Sequence, residues 1–395
     1  MRTRTLSGGL ARVTGAVAVL LLATGALAAC SESSDDKPST GGSGSGDASA
    51  AIVAEAQQAT DALFDTGSET PPPADGPAGV KGKTVWVVSC GQAVTGCSLL
   101  TDAAVTASKQ IGWKTTLCDG NFNAGDQYGK CIRQAVAAGA DGIILNSVDC
   151  VAVTQPLKEA KAAGVKVAAV NTFPCDGANA DLATMVVPST ATPTIDAYGQ
   201  AAGKAQADYL IATSKGKAKV LNFRFVDNFL AIEVNKGFEA EMATCGTCSV
   251  KNTDITLADY VNPSTFGQKS NAALLSAPDA TAVHVPFDSF LTSGVGQAIT
   301  SAGRAGKLDS IGFNGFEANL NLIRDGKGQT AALGADQEWA GWAAADTMNR
   351  LLAGAEPVAE GMGFKMVDAD KNLPSSGSYR SDIDFKAAYE AVWSK

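Results

Sequence analysis

Short β-branched apolar runs that alternate with helical segments constrain this chain more than any other feature. The first run is TVWVVS at 84–89, apolar on both faces as a strand sandwiched between helices must be. Helical periodicity follows at 99–111, a strand at 113–117, a helix at 126–138 and the strand GIILN at 142–146. A helix at 154–163, the strand VKVAAVN at 165–171 and a short strand at 185–187 end this set. A second set begins with a helix at 194–213. Its strands fall at 218–225, 249–257, 282–286, 310–314 and 330–334, and a long helix follows at 338–352. Repeated β-α-β units dictate parallel sheets with helices on both faces, and two consecutive sets dictate two lobes.

The chain before these units has a different character. Arg2, Arg4 and Arg12 precede the apolar stretch 16–26, too short to span a bilayer and flanked like a secretion signal. It ends in Leu27-Ala28-Ala29-Cys30, which resembles the lipobox of bacterial lipoproteins. That resemblance implies a signal peptide at 1–29, acylation of Cys30, and a protein anchored by lipid to the outer face of the cell membrane. Residues 30–50 are rich in Ser, Gly and Asp, including GGSGSG at 41–46, and read as a flexible tether. Apolar residues at helical spacing predict one amphipathic helix over 51–64. Pro71, Pro72 and Pro73 then make 51–80 a helix followed by an extended linker.

Net charge is −9, and with three Arg and no acid in 1–29 the remainder carries −12. That excludes the basic footprint nucleic acid demands. Of nine cysteines, Cys30 is the anchor and eight remain, an even set that suggests disulfides in an exported chain. Closeness in sequence favours Cys90–Cys97 and Cys118–Cys131. Adjacent strand ends favour Cys150–Cys175, and Cys245–Cys248 would close a tight loop. The rival reading of Cys245-Gly-Thr-Cys248 as a redox pair places it at the wrong end of a helix, since such pairs use the N-terminal dipole. The single histidine, His284, sits in an apolar strand and leaves no Cys/His zinc site. No cofactor is predicted.

Within 81–374, several runs in order resemble type I periplasmic binding proteins, the ribose- and galactose-binding-like receptors of ABC importers. They are TVWVVS at 84–89, GADGIIL at 139–145, AGVKV at 163–167, IGFNG at 311–315 and VDADKNLP at 367–374. The resemblance implies two Rossmann-like lobes with parallel sheets, joined by a hinge of three crossing segments. These fall near 186–189, 333–337 and 364–367. The N-terminal lobe takes 81–187 and 338–362, and the C-terminal lobe 189–334 and 363–395. Ligand binds between the lobes at the carboxyl ends of the strands.

The residues just past those strand ends are the candidate ligand set: Gln92, Asn146, Asn171, Thr172, Asn228, Asp288, Asn314 and Asp336. Matching family positions single out Asn171, Asp288 and Asn314. Each also suits a plainer role, because strand-end Asn and Asp cap helices and make turns. Phe173, Phe229, Phe287 and Phe316 suit either cleft or core. The stretch CGQAVTGCS at 90–98 lacks the aromatic pair of ribose receptors. The arginine familiar after the sixth strand is missing, Arg224 lying inside that strand. These departures argue against a simple pentose or hexose.

The implied function is an extracytoplasmic solute-binding lipoprotein, not an enzyme, that is monomeric and delivers a sugar, polyol or related small molecule to an ABC permease. A sensory receptor presenting ligand to a signalling partner is the alternative. A secreted hydrolase finds no support, for no GxSxG or HxxxH pattern is present.

Overall fold

The computed structural model describes residues 44–395, so the predicted signal peptide and Cys30 lie outside the described residues. In chain order the elements are α1 (Gly44–Asp65), β1 (Thr84–Ser89), α2 (Thr95–Ile111), β2 (Lys114–Asp119), α3 (Gln127–Ala137), β3 (Gly142–Asn146), α4 (Cys150–Ala162), β4 (Lys166–Val170) and β5 (Thr184–Met185). The second half comprises α5 (Ile195–Thr213), β6 (Lys219–Phe225), α6 (Phe229–Met242), β7 (Ser249–Ile255), α7 (Leu257–Tyr260), α8 (Pro263–Ser276), β8 (Ala282–His284) and α9 (Gly296–Ser301). It continues through β9 (Asp309–Asn314), α10 (Glu317–Arg324), β10 (Ala331–Gly334), α11 (Gln337–Ala353), β11 (Lys365–Asp368) and α12 (Phe385–Trp393).

Two sheets result. The first is parallel throughout, in the order β2-β1-β3-β4-β5. The second runs β11-β10-β9-β8-β6-β7, parallel except for β11. β3 is buried along its whole length, which accounts for its unbroken apolar sequence. Helices α2 and α11 cover one face of the first sheet and α3 and α4 the other. In the second lobe α5 and α6 pack on one face and α8 on the other. The α5–α6 contact is backbone against backbone. A Cβ on Gly203 would come within 1.8 Å of the Val234 carbonyl oxygen, so no larger residue fits there.

His284 is fully buried beneath this helix pair. Its ring nitrogens face the Asn222 and Gln206 side-chain oxygens at 2.7 and 3.1 Å, and Phe238 stacks on it. Burial pushes its pKa down to about 3.

Three boundaries depart from the sequence reading. The tether reading of 30–50 fails at its C-terminal end, because α1 already begins at Gly44. Its later residues Ala56, Thr60 and Phe64 are buried, and the helix packs on α5. A docked helix extends cheaply through neighbouring Ala and Ser, since nucleation is the costly step. The segment after it is not a free linker either. Ser68 pairs with Phe364 through two hydrogen bonds, Thr70 donates to the Gly361 carbonyl, and Val80 donates to Asn349 Oδ1 at 2.9 Å.

The third departure is the C-terminal tail. Residues 363–395 read as C-terminal lobe, and β11 does belong there. Helix α12 instead packs on the N-terminal lobe. Phe385 stacks on Trp339, Trp393 stacks on Trp342, and Gln110 of α2 donates to Glu390. Five segments thus pass between the lobes: 66–80, 186–189, 334–337, 359–364 and 374–384. The third to fifth of these meet the first in a buried polar knot. Tyr379 and Ser381 donate to Glu69, and the Ser381 amide donates to Asp336. Burial raises the Glu69 pKa against the pull of those donors.

Candidate functional site: an interlobe cavity

The carboxyl ends of both sheets face one cavity of about 400 Å³, within the span of about 300–1,000 Å³ typical of small-molecule sites. Residues past β1, β2, β3 and β4 form one wall, among them Cys90, Phe122, Asn146 and Asn171. Residues past β6, β7, β8 and β9 form the other, among them Asn228, Tyr260, Phe287, Asn314 and Phe316. The lobes meet across the opening. Phe173 lies 5.1 Å from Phe229, ring centre to ring centre, and Phe316 packs over Gly96.

Disulfides brace the N-terminal wall. All four predicted pairs are present, and three of them tie loops at this end of the sheet: Cys90–Cys97, Cys118–Cys131 and Cys150–Cys175. The fourth, Cys245–Cys248, closes the turn after α6, away from the cavity. Cys90 and Cys97 themselves line the cavity. Asn146 donates to the Cys97 carbonyl at 3.2 Å, and Tyr128 Oη donates to the Cys90 carbonyl at 3.0 Å. Burial, with Asp149 and Asp119 nearby, raises the Tyr128 pKa to about 12. Replacing Cys90 and Cys97 together by Ala is expected to lower unfolding free energy by about 2 kcal/mol through lost loop closure. Urea denaturation measures this, and an unchanged midpoint would show that packing alone holds the loop.

The backbone around the cavity is strained in a concentrated way. Five lining residues other than glycine have positive φ: Phe122 at 49°, Asn123 at 61°, Ser147 at 52°, Asn171 at 50° and Asn314 at 120°. Each such conformation costs about 1–3 kcal/mol and persists only where its surroundings impose it. Here the twist turns strand-end side chains into the cavity. Asn171 and Asn314 make no side-chain hydrogen bond to any described residue, so their amides are open to a ligand. Gln337, at the start of α11, is in the same position.

A model of the periplasmic binding protein domain matches residues 87–356. The chain belongs to that family. Solved structures agree on the fold. A solute-binding protein of an ABC transporter from Mycobacterium smegmatis, with bound glycerol, is 22% identical at a TM-score of 0.62, covering 76% of this chain and 99% of its own. One from Burkholderia graminis, in complex with D-arabinose, is 17% identical at a TM-score of 0.64, covering 75% and 99%. A glucose-galactose binding protein from Geobacillus stearothermophilus is 17% identical at a TM-score of 0.60, covering 74% and 99%. No curated protein matches the chain by sequence. The resemblance read from the sequence is therefore correct in family and in fold, and membership supports a location outside the cytoplasm.

For this periplasmic binding protein the predicted ligand set divides. Asn146, Asn171, Asn228 and Asn314 line the cavity. Gln92, Thr172, Asp288 and Asp336 do not. Gln92 turns away to donate to Thr101 at 2.8 Å. Thr172 is buried and bonds the Val170 carbonyl and the Val148 amide, closing the turn after β4. Asp336 caps α11, accepting from the Glu338 amide at 2.9 Å, and belongs to the polar knot. Asp288 is fully buried and accepts from the Gly315 amide at 2.6 Å and from Gln329 at 2.9 Å. Gly312 leaves the space it occupies. Its work is to hold the loop that presents Asn314 and Phe316. Asn228 lines the cavity while its Oδ1 caps α6. Arg224 is bound outward to Asp254.

Of the four predicted aromatics, Phe229, Phe287 and Phe316 line the cavity. Phe173 does not line it; it packs against the core and meets Phe229 across the cleft. Sequence reasoning missed Phe122, Tyr128, Tyr260 and Phe290. Phe122 enters the cavity through a left-handed turn, with Gly91 left bare beneath its ring. A repeated Asn on either side of it, Asn121 and Asn123, was the only cue.

Proposed function

We propose that this protein is the solute receptor of an ABC importer, held outside the cell membrane through Cys30, and that it captures a neutral polyhydroxylated molecule by closing its lobes. One observation carries the reading. Side-chain amides from both lobes, Asn171 and Asn314, converge on a single cavity with no protein partner among the described residues. An amide offers both donor and acceptor to a hydroxyl, and groups drawn from both lobes reward closure. Sugars and polyols occupy several structural relatives, which suits the same chemistry. Delivery to a permease is the use that suits such a receptor, and the proposed lipid anchor would keep it at the membrane.

Thermal-shift measurement of the full chain with neutral sugars and polyols tests the proposal. A ligand at one hundred times its Kd adds about 2.7 kcal/mol to stability. Asn171→Ala and Asn314→Ala should each weaken the stabilising ligand by about tenfold, and each should also lower the unliganded melting temperature modestly, because Ala tolerates a positive φ less well than Asn. If no sugar, polyol or glycoside stabilises the protein, the proposal fails.

A further inference from the structure

The cavity is built asymmetrically, in a way a bare sugar does not use. Two of its three partner-free amides, Asn171 and Gln337, lie at the hinge end, where they also border a second, smaller chamber beside Glu69 and Tyr198. On the C-terminal wall the cavity meets a cluster of aromatic rings, of which Tyr260 is the more exposed and Phe225 and Phe290 are buried behind it. Phe225, Tyr260 and Phe290 have ring centres 5.0–5.7 Å apart, with Tyr260 stacked on Phe290. Leu257 and Phe287 extend this surface. The mouth is apolar as well, with Val151 and Phe229 both exposed. Isolated exposed apolar side chains are ordinary, but these two line the cavity from opposite lobes and suit a ligand with an apolar part.

Charge narrows the choice further. Among the described residues that line the cavity none is Lys, Arg or His. The two acids that do, Asp149 and Asp227, already accept backbone amides, from Phe173 at 2.9 Å and from Leu257 at 2.8 Å. Burial raises the Asp149 pKa. An anionic ligand would meet no countercharge here, and a buried unpaired charge is costly.

Resting on the receptor reading above, we infer that the cavity is built for a neutral glycoside that carries a flat aromatic group. The hydroxylated ring lies among the hinge-end amides. The aromatic group lies against Tyr260, which Phe290 backs from within the core, and stacking there rewards it beyond the area it buries. Aryl glycosides and nucleosides share this chemistry.

Calorimetric titration of the full chain decides it. The probes are glucose, galactose, arabinose and ribose, each beside an aromatic derivative: the phenyl glycosides of the first three, adenosine for ribose, and glucuronate as the anion. At least one aromatic derivative should bind tenfold or more tightly than its parent sugar, and glucuronate should not bind. Phenyl glycosides against adenosine tells the two sources apart. Tyr260→Ala should shrink that preference at least fivefold. If truncation unfolds the lobe, the near-isosteric Leu257→Asn on the same wall should do the same. Parent sugars binding as tightly as their aromatic derivatives, or a preference that survives both variants, overturns the inference and leaves the receptor reading standing. No binding by any probe overturns both.

Discussion

Trp393→Ala should destabilise the N-terminal lobe by about 4 kcal/mol, the cost of removing a large buried aromatic. Only two residues follow Trp393 in the sequence, yet its ring is buried in the core. The structure explains it. Its ring stacks on Trp342 at 5.4 Å and its Nε1 donates to Asp346 Oδ1 at 2.7 Å. Asp346 also accepts from Arg350 at 2.6 Å, so the variant leaves a buried acid with one donor fewer. One turn earlier, Tyr389 donates to the buried Glu360, whose pKa burial holds well above the usual carboxylate range. Urea unfolding followed by tryptophan fluorescence reads the loss. A midpoint within error of the parent protein would mean that α12 is an ornament on the lobe rather than part of its core.

Asp288→Ala should cost about 3 kcal/mol, because the Gly315 and Gln329 N–H groups are left buried without an acceptor. It should also weaken ligand, since the loop bearing Asn314 and Phe316 loses its post. The two effects must appear together. An Ala variant with the parent's unfolding midpoint but no ligand binding would instead make Asp288 a direct contact. The penalty should depend on pH. Burial raises the Asp288 pKa to about 7, so the folded state prefers the protonated acid. Its contribution to stability is fully present below the unfolded pKa of about 4 and is lost as pH rises through about 7. The Ala variant lacks that group, so the gap between the two proteins should be wider at pH 5 than at pH 8.

Asp288 also marks how far the sequence can be read. Strand–helix alternation and the ordered family runs were enough for both sheets, because these depend on period along the chain, while closeness in sequence and adjacent strand ends favoured the four disulfides without settling them among 105 possible pairings. Side-chain direction depends on neither. At the ends of strands a polar residue either faces the ligand or holds the loop that does. Asn171 and Asn314 reach the cavity with no side-chain partner among the described residues, while Asp288, Asp336 and Thr172 are held by hydrogen bonds within the protein. The choice is made by partners distant in sequence, such as Gln329 for Asp288 and Ser381 for Asp336. The tail was misassigned for a similar reason. Nothing in 385–393 says whether Phe385 and Trp393 meet tryptophans of one lobe or another, and only α11, itself borrowed by the N-terminal lobe, decides it.

Helix α1 has a mechanical meaning. Its buried face rests on α5, so any force transmitted through residue 44 reaches the C-terminal lobe first. That contact ties the helix to the C-terminal lobe, while three of the four disulfides brace the other lobe. The cavity thus lies between a cross-linked wall and an aromatic one whose lining holds no disulfide.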